Sequence, residues 1–463
     1  MGQVKRLLND SALMRWGALL LISVVMFSSY YFYDVYSGIK TALQAETGLS
    51  NADYGTMYGA YSFANAFLLM ALFGGVILDK WGIRKTGTLF ISFLTIGIIL
   101  TAYGASYIFR DSSVYTFFNS FLTNYSAELK MMILGRVLFG LGAETFYVVI
   151  NKVIAKWFKG KELALAFSIS LAFGRFGTAA VFMLSPRLID DGARFSNAGW
   201  FGVMLTLIGF IAFFVYMVFD IRFDKAAGDQ GGDDEEPEVF KMKDFILLLK
   251  NKSFIYITLL CILFYSAVFP FLAFAADFLQ NKFGFSEKLA GDVTTILPYG
   301  TIIFTPLFGW FTDFKGKNAS VMIIGSILLI AVHLTFSLTS LSPYIPLFVL
   351  GVAFSLVPAA MWPSVARIVD ENKLGTAYGF MFTVQNFGLM GIPIIMGKVL
   401  DASNVGITAQ MVKDGVARYD YKYTILMLAI IGVFGVLFAV LLKREDKVSG
   451  FGLELPNKSE AKE

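Results

Sequence analysis

Twelve stretches of about twenty mainly apolar residues recur along the 463-residue chain, at 15–38, 54–78, 86–107, 131–155, 161–184, 199–221, 253–276, 289–311, 320–341, 343–366, 375–398 and 421–442. A helix needs about 20 such residues to cross the ~30 Å apolar core of a bilayer, and backbone inside lipid must satisfy its own hydrogen bonds. The pattern therefore restricts the fold to an all-α membrane protein with twelve transmembrane helices. Composition agrees, since 57% hydrophobic and 16% charged residues, with a mean hydropathy of +0.67, are too apolar for a soluble multidomain chain. The first eleven residues are too polar and too short for a cleavable signal, so 14–36 reads as a retained first span.

Several function classes drop out early. One cysteine, Cys261, leaves no disulfide framework or Cys-based metal site, and one histidine, His333, leaves no His cluster. His333 falls in the ninth span with no acid nearby in sequence, so a proton-relay role is not expected of it. No Gly-rich phosphate loop ending in Gly-Lys-Ser/Thr occurs, which argues against ATP drive. With no nucleophile–base or metal-ligand set, neither an enzyme nor a cofactor nor a metal is expected. The expected partners are a small solute and the lipid bilayer, without nucleic acid, and the chain is expected to act as a monomer.

Two ionisable residues stand deep inside apolar runs. Glu144 lies thirteen residues into the fourth span, counted from Met131, and Arg175 fourteen into the fifth, counted from Lys161. At about 1.5 Å per residue both are about 20 Å from their faces, near mid-membrane. A charge there costs about 2.5–3.5 kcal/mol on insertion scales, so it faces a bundle interior or a wet cavity and has partners. Two readings are open: a Glu144–Arg175 pair that locks two helices, or a substrate site.

Between the sixth and seventh spans lies the longest polar connection. The chain divides into an N-terminal six-helix bundle (1–221), a linker (222–252) with an amphipathic end at 240–250, a C-terminal six-helix bundle (253–442) and a tail (443–463). If the N-terminus is cytoplasmic, 25 of the 38 Lys and Arg residues lie in tails and cytoplasmic loops, 11 lie outside and two, Arg136 and Arg175, lie in the membrane. Both termini are therefore expected inside, with the 108–130 loop external.

The halves repeat. Gly75, Asp79 and Gly82 recur as Gly309, Asp313 and Gly316 at an offset of 234, whereas Gly140, Ala155, Leu163, Phe176 and Gly177 recur as Gly351, Ala366, Leu374, Phe387 and Gly388 at 211. The surplus of 23 residues is the 108–130 loop, which its counterpart, 340–343, lacks. A duplicated six-plus-six array is an architecture of alternating-access transporters. At this register Arg175 falls opposite Asn386 and Glu144 opposite Ser355, so the centre is symmetric in position and asymmetric in charge.

The run Gly-x-x-x-Asp-Lys-x-Gly-x-Arg-Lys at 75–85, with Gly135, Arg136, Gly140 and Gly142 further on, resembles the signatures of the major facilitator superfamily. Within that superfamily, SYYFYD (29–34), WFKGKELALAFSISLAFGRFG (157–177), FYSAVFPF (264–271), MWPSVARIV (361–369) and KLGTAYGFMFTVQNFGL (373–389) are similar to stretches of the lysosomal dipeptide uniporters, the family of major facilitator superfamily domain-containing protein one. The resemblance implies a microbial relative that carries dipeptides by facilitated diffusion, with Glu144 and Arg175 matching substrate-site residues. It departs at Val35 and Tyr36, where the family has Asn-Pro, and in the family's sorting tail, for which no counterpart is read. The second departure leaves the compartment open: a bacterial inner membrane, or a lysosomal membrane in a eukaryote.

The chemistry fits a zwitterion. A dipeptide presents an ammonium and a carboxylate about 5–7 Å apart, and a planar guanidinium is the better carboxylate clamp. Glu144 and Arg175 could supply one partner each. Asn386, Gln385 and Trp362 are candidates to hold the peptide group, and Tyr30, Tyr33 and Tyr265 to line side-chain space; bundle packing is the alternative for the aromatics. Asp34, in the outer half of the first span, either receives the ammonium or closes an external gate. Asp79, Arg84, Lys85, Asp313 and Arg136 are the candidate gating residues, with a solvated turn as the alternative for the 79–85 loop. Two other functions stay open: a carrier of a small organic anion, with or without proton coupling, for which Arg175 alone would suffice, and a non-transporting receptor or scaffold of the same fold.

Overall fold

The computed structural model describes residues 8–189, 194–227, 247–370 and 373–456. Among them the regular elements are all helices, without strands, in two six-pass repeats. The first span is Ala12–Tyr33, continued through a 3-10 turn, Ser37–Ile39, into Lys40–Thr47. The fourth to seventh spans are Ala127–Phe158, Leu163–Leu188, Ser196–Ala227 and Lys252–Phe283. The eighth joins Glu287–Thr294 to Ile296–Lys315, and the ninth to twelfth are Asn318–Leu338, Tyr344–Ile368, Leu374–Ser403 and Lys422–Ser449. The 228–246 part of the expected linker lies outside the described residues.

Among the described residues eleven helices are long and apolar enough to cross a membrane. The second pass differs from expectation: it is assembled from Asn51–Gly59, Ala60–Ser62, Phe63–Leu68 and the start of Met70–Gly104, which also carries the third pass. Leu69 breaks it in the left-handed region (φ 53°, ψ 37°), a conformation that costs a non-glycine residue of order 1–3 kcal/mol. The break leaves the Ala71 N–H without its helical acceptor, and Asn65 Oδ1 takes that place at 2.6 Å. Inside Met70–Gly104 the second and third passes meet at Gly82, whose φ of 72° ends one helix and starts the next. Its repeat partner Gly316 has φ 69°. Both loops thus need a residue without Cβ at the same step after their aspartate, which is the physical content of the repeated motif.

The ends of the bundle differ. At the end carrying the termini, Lys161 holds Asp10 (2.9 Å), Arg15 holds Glu162 (2.8 Å) and Glu454 caps Ser320 N (2.8 Å), each within one repeat. At the opposite end the repeats are joined. Asp401 of the eleventh span accepts from Asn51 N (3.1 Å), Asn51 Nδ2 (2.8 Å) and Ala52 N (2.9 Å) of the second, and Tyr54 OH donates to Ala273 O (2.9 Å) of the seventh. The helices approach closely enough that a Cβ on Gly55 would fall on the Pro393 carbonyl and one on Gly397 on that of Asn51. The seventh span, sheathed by both repeats, supplies an unbroken buried run from Phe271 to Leu279 to the main core.

Candidate functional site

The centre of the bundle keeps its two charges apart. Among the described residues no ion pair joins Glu144 and Arg175, so they are not a helix lock. Glu144 Oε2 accepts from Asn65 Nδ2 at 2.9 Å, the same amide that caps the break at Leu69. Asn65 is fully buried and rigidly oriented by its two bonds, whereas Glu144 is partly accessible. The Tyr61 hydroxyl is a second hydrogen-bond partner of the Glu144 carboxylate.

Arg175 reaches across the gap between the repeats. Its guanidinium carbon lies 6.0 Å from the Tyr30 ring in its own half, and 5.8 Å and 5.0 Å from the Phe269 and Phe354 rings in the other. No protein acceptor within hydrogen-bonding reach is seen among the described residues. Aromatic faces hold the cation in place but leave its five N–H donors to water or to a ligand. Tyr30 also stacks on Tyr147 (5.7 Å between centroids), one helical turn beyond Glu144, and Tyr147 OH meets Ser29 Oγ at 3.0 Å. The Tyr30–Tyr147 pair is therefore the wall between the two charges.

The opposite half supplies the rest. Trp362 Nε1 donates to Tyr265 OH at 3.0 Å and stacks on Phe382 at 4.8 Å; Tyr265 stacks on Phe269 at 5.8 Å. Asn386 spends its amide on Phe382 O (2.9 Å) and leaves a buried Oδ1 with no partner. Gln385 is buried against Cys261 (3.6 Å). Tyr30, Arg175, Tyr265 and Trp362 thus converge through Phe269 and Phe354, two aromatics that sequence reasoning did not single out; nor did it single out Asn65 or Tyr147. The signal for Tyr147 was its place three residues after Glu144, which is one face of a helix.

Other residues sit elsewhere. Tyr33 packs edge-on against Tyr58 (5.0 Å) and Tyr61 (4.7 Å). Asp34 caps the first span, fully buried, and accepts from Tyr58 OH at 3.0 Å. Arg136 is fully buried beside it, donating to Tyr33 O at 2.8 Å between the Phe32 and Tyr58 rings; the structure does not bring it to Asp79. Asp79 pairs with Lys152 at 2.7 Å, while Arg84 and Lys156 share Asp220 (2.7 and 2.6 Å) and Asp224, all within the first repeat. Lys85 and Asp313 are exposed. His333 is a buried core residue whose ring nitrogens lie 2.9 Å from Leu329 O and 3.1 Å from Ala267 O.

A feature absent from sequence reasoning closes the end away from the termini. Lys40, one of the 11 cations assigned to the outer side, is fully buried and pairs with Asp277 of the other repeat at 2.8 Å, both side chains 0% exposed. Lys40 also donates to Asn51 Oδ1 (2.6 Å) and is ringed by Tyr54, Phe274 and Tyr419. Asp277 accepts in addition from Thr41 Oγ1, Tyr421 OH and Asn281 Nδ2. Around this dry pair two partly exposed bridges, Arg187–Asp292 (2.8 Å) and Lys413–Glu46 (2.9 Å), also link the repeats.

Polar groups offered at mid-depth between two repeats that close on one another at one end are what a solute carrier requires, so the class is that of a twelve-helix membrane transporter and not an enzyme. Within it the chain belongs to the Major Facilitator Superfamily, whose family description matches residues 22–277 and 258–459. It is 32% identical over 394 residues to the lysosomal dipeptide transporter MFSD1 of Bos taurus, covering 83% of this chain and 79% of that one, and 32% identical over 395 residues to that of Homo sapiens, with the same coverage. A hexuronate transporter of Bacillus subtilis is 21% identical over 391 residues, covering 81% and 86%. Among solved structures, the nucleoside transporter NupG superposes with a TM-score of 0.68 at 15% identity, covering 92% of this chain and 99% of its own. A bacterial homologue of the human lysosomal transporter Spinster gives 0.64 at 16%, covering 94% and 98%. The protein is a multi-pass integral membrane transporter.

Proposed function

We propose that the protein carries dipeptides across a bacterial inner membrane by facilitated diffusion, as a monomer with both termini in the cytoplasm. The observation that carries this reading is the separation of Glu144 and Arg175: an acid and a guanidinium at mid-depth, not neutralising each other, divided by the Tyr30–Tyr147 wall. A single anion would need the cation alone. A zwitterion needs both, and the 32% identical dipeptide transporters support that choice.

In this reading the peptide ammonium meets the partly accessible Glu144 carboxylate and the peptide carboxylate meets the Arg175 fork, a charge-assisted contact about twice as strong as a neutral hydrogen bond. The orphan Oδ1 of Asn386 accepts the peptide N–H, relieving a buried acceptor that otherwise costs about 1–3 kcal/mol. Side chains occupy the aromatic space at Tyr30, Tyr265 and Trp362. Because Arg175 is gripped by rings from both repeats, binding a carboxylate there ties the two halves together. Opening the sealed end then requires parting Lys40 from Asp277, and the gating roles of Asp79, Arg84, Lys85, Asp313 and Arg136 belong to the opposite movement or to its support. The domain division at 1–221, 222–252, 253–442 and 443–463 follows the same two-body movement.

The second reading, a small organic anion held by Arg175, has the 21% identical hexuronate transporter in its favour. Thermal shift of the purified protein separates the two. Dipeptides with both termini free are expected to raise the unfolding midpoint more than single amino acids, and monocarboxylates to leave it unmoved. A larger shift from a hexuronate or a monocarboxylate would overturn the peptide reading.

A further inference from the structure

Outside the seal lies a cavity of about 620 Å³ walled by both repeats. Its floor includes Thr41 and Asn281, the two residues that reach inward to Asp277. A solute on the route between the centre and this face of the membrane must pass it, and whatever fills it touches partners of the sealing ion pair.

Among the described residues the walls carry an imbalance of charge. Glu46 and Lys413 neutralise one another at 2.9 Å, and Tyr107 OH occupies the other Glu46 oxygen at 2.9 Å. Among the described lining residues that leaves two cations, Arg194 and Arg418, against one acid, Glu287. Among the described residues neither arginine has a carboxylate within ion-pair distance. Both are nevertheless placed: Arg194 lies over the Tyr107 ring at 5.4 Å, and Arg418 lies against Gly284, where a Cβ would stand 3.4 Å from both its terminal nitrogens. Two guanidinium groups from opposite repeats, lining one cavity beside a gate, offer the donors that a carboxylate takes in pairs.

We propose that this cavity is a second, outer binding site of the carrier, in which Arg194 and Arg418 hold the carboxylate end of a peptide above the closed seal. The proposal rests on the peptide reading given above. It makes passage stepwise: capture at the arginines from solution, release of the Lys40–Asp277 seal, then transfer of the same carboxylate to Arg175. Because a passive carrier at equilibrium obeys the same kcat/KM ratio in both directions, the site cannot make transport one-way. It acts by raising occupancy at the gate, which electrostatic capture does in the manner of a charged funnel.

The test is a protection experiment on Ala417→Cys, which lines the cavity; the native Cys261 is buried. Dialanine is expected to slow its labelling by a charged maleimide in a saturable way, and acetyl-alanyl-alanine amide, with no charged terminus, to leave the rate unchanged. Arg194→Gln combined with Arg418→Gln is expected to abolish the protection while dialanine still raises the unfolding midpoint through the central site. With Arg194 and Arg418 intact, Glu144→Gln, or Arg175→Lys should that variant misfold, is expected to leave the half-protecting concentration of dialanine at the 417 cysteine unchanged. No protection while the midpoint still rises would overturn the outer site and spare the peptide reading. Protection lost with the central substitutions would mean that the cysteine reports a movement, and would also overturn it. If dialanine neither protects nor shifts the midpoint, the peptide reading falls and takes this one with it.

Discussion

Replacing Asp277 by Asn should open the sealed end. In the closed arrangement Lys40 and Asp277 are 0% exposed, and Asn at 277 would leave Lys40 with Asn51 Oδ1 at 2.6 Å and three aromatic faces 5.3–5.6 Å away, but no counter-charge. Leaving one member of a buried pair uncompensated costs about 3–5 kcal/mol. The cost falls on the closed arrangement, because once the repeats part Lys40 is hydrated. At about 1.4 kcal/mol per decade the ratio of closed to open shifts by about two to three and a half orders of magnitude towards open. The assay is the labelling rate of Ser37→Cys, a buried position beside Tyr54 in the seal, by a membrane-impermeant maleimide. Asp277→Asn should accelerate it strongly. The double replacement Lys40→Met with Asp277→Leu removes both charges, which is often neutral or stabilising, and should return the rate to that of the parent. Unchanged labelling in a monodisperse Asp277→Asn protein would refute the reasoning, as would a double variant as open as the single one.

Asn65→Ala removes the acceptor of the Ala71 N–H and the donor to Glu144; an orphaned buried group costs about 1–3 kcal/mol, so the unfolding midpoint should fall and dipeptide affinity with it, whereas an unchanged midpoint would show that the second pass straightens without Asn65. Ser120→Cys, exposed in the 108–130 loop, should be labelled from outside intact cells, and labelling only after permeabilisation would reverse the orientation. Vesicles containing this protein alone should equilibrate a dipeptide and not accumulate it under an imposed proton gradient; accumulation would establish symport.

Much of the architecture is written in residue type and spacing. Apolar runs mark eleven passes directly, and the repeated Gly82 and Gly316 are both found at positive φ. The break at Leu69 is not written that way, because hydropathy reports burial in lipid and not backbone angle; the polar Ser62 and Asn65 inside that run were its only trace. Glu144 and Arg175 were legible from depth, since a charge so far from either face needs a reason. That they stand apart was not, because the separation is made by Tyr30, Tyr147, Phe269 and Phe354, ordinary aromatics until the repeats bring them together. Lys40 and Asp277 were missed for a plainer cause. Lys40 starts a helix and Asp277 follows the last residue of the apolar run 253–276, places where charges are common, and the two are 237 residues apart, so only the packing of one repeat on the other shows that both are dry.

The central claim is that Glu144 receives the ammonium and Arg175 the carboxylate of one peptide. The most direct measurement is the affinity of purified parent, Glu144→Gln and Arg175→Lys proteins for dialanine, its N-acetylated form and its C-terminal amide. Glu144→Gln should weaken dialanine and the amide but leave the already poor acetylated form nearly unchanged. Arg175→Lys, which keeps the charge and loses the planar fork, should weaken dialanine and the acetylated form but not the amide. Folded variants that bind all three with the parent's relative affinities would contradict the assignment and make both charges structural.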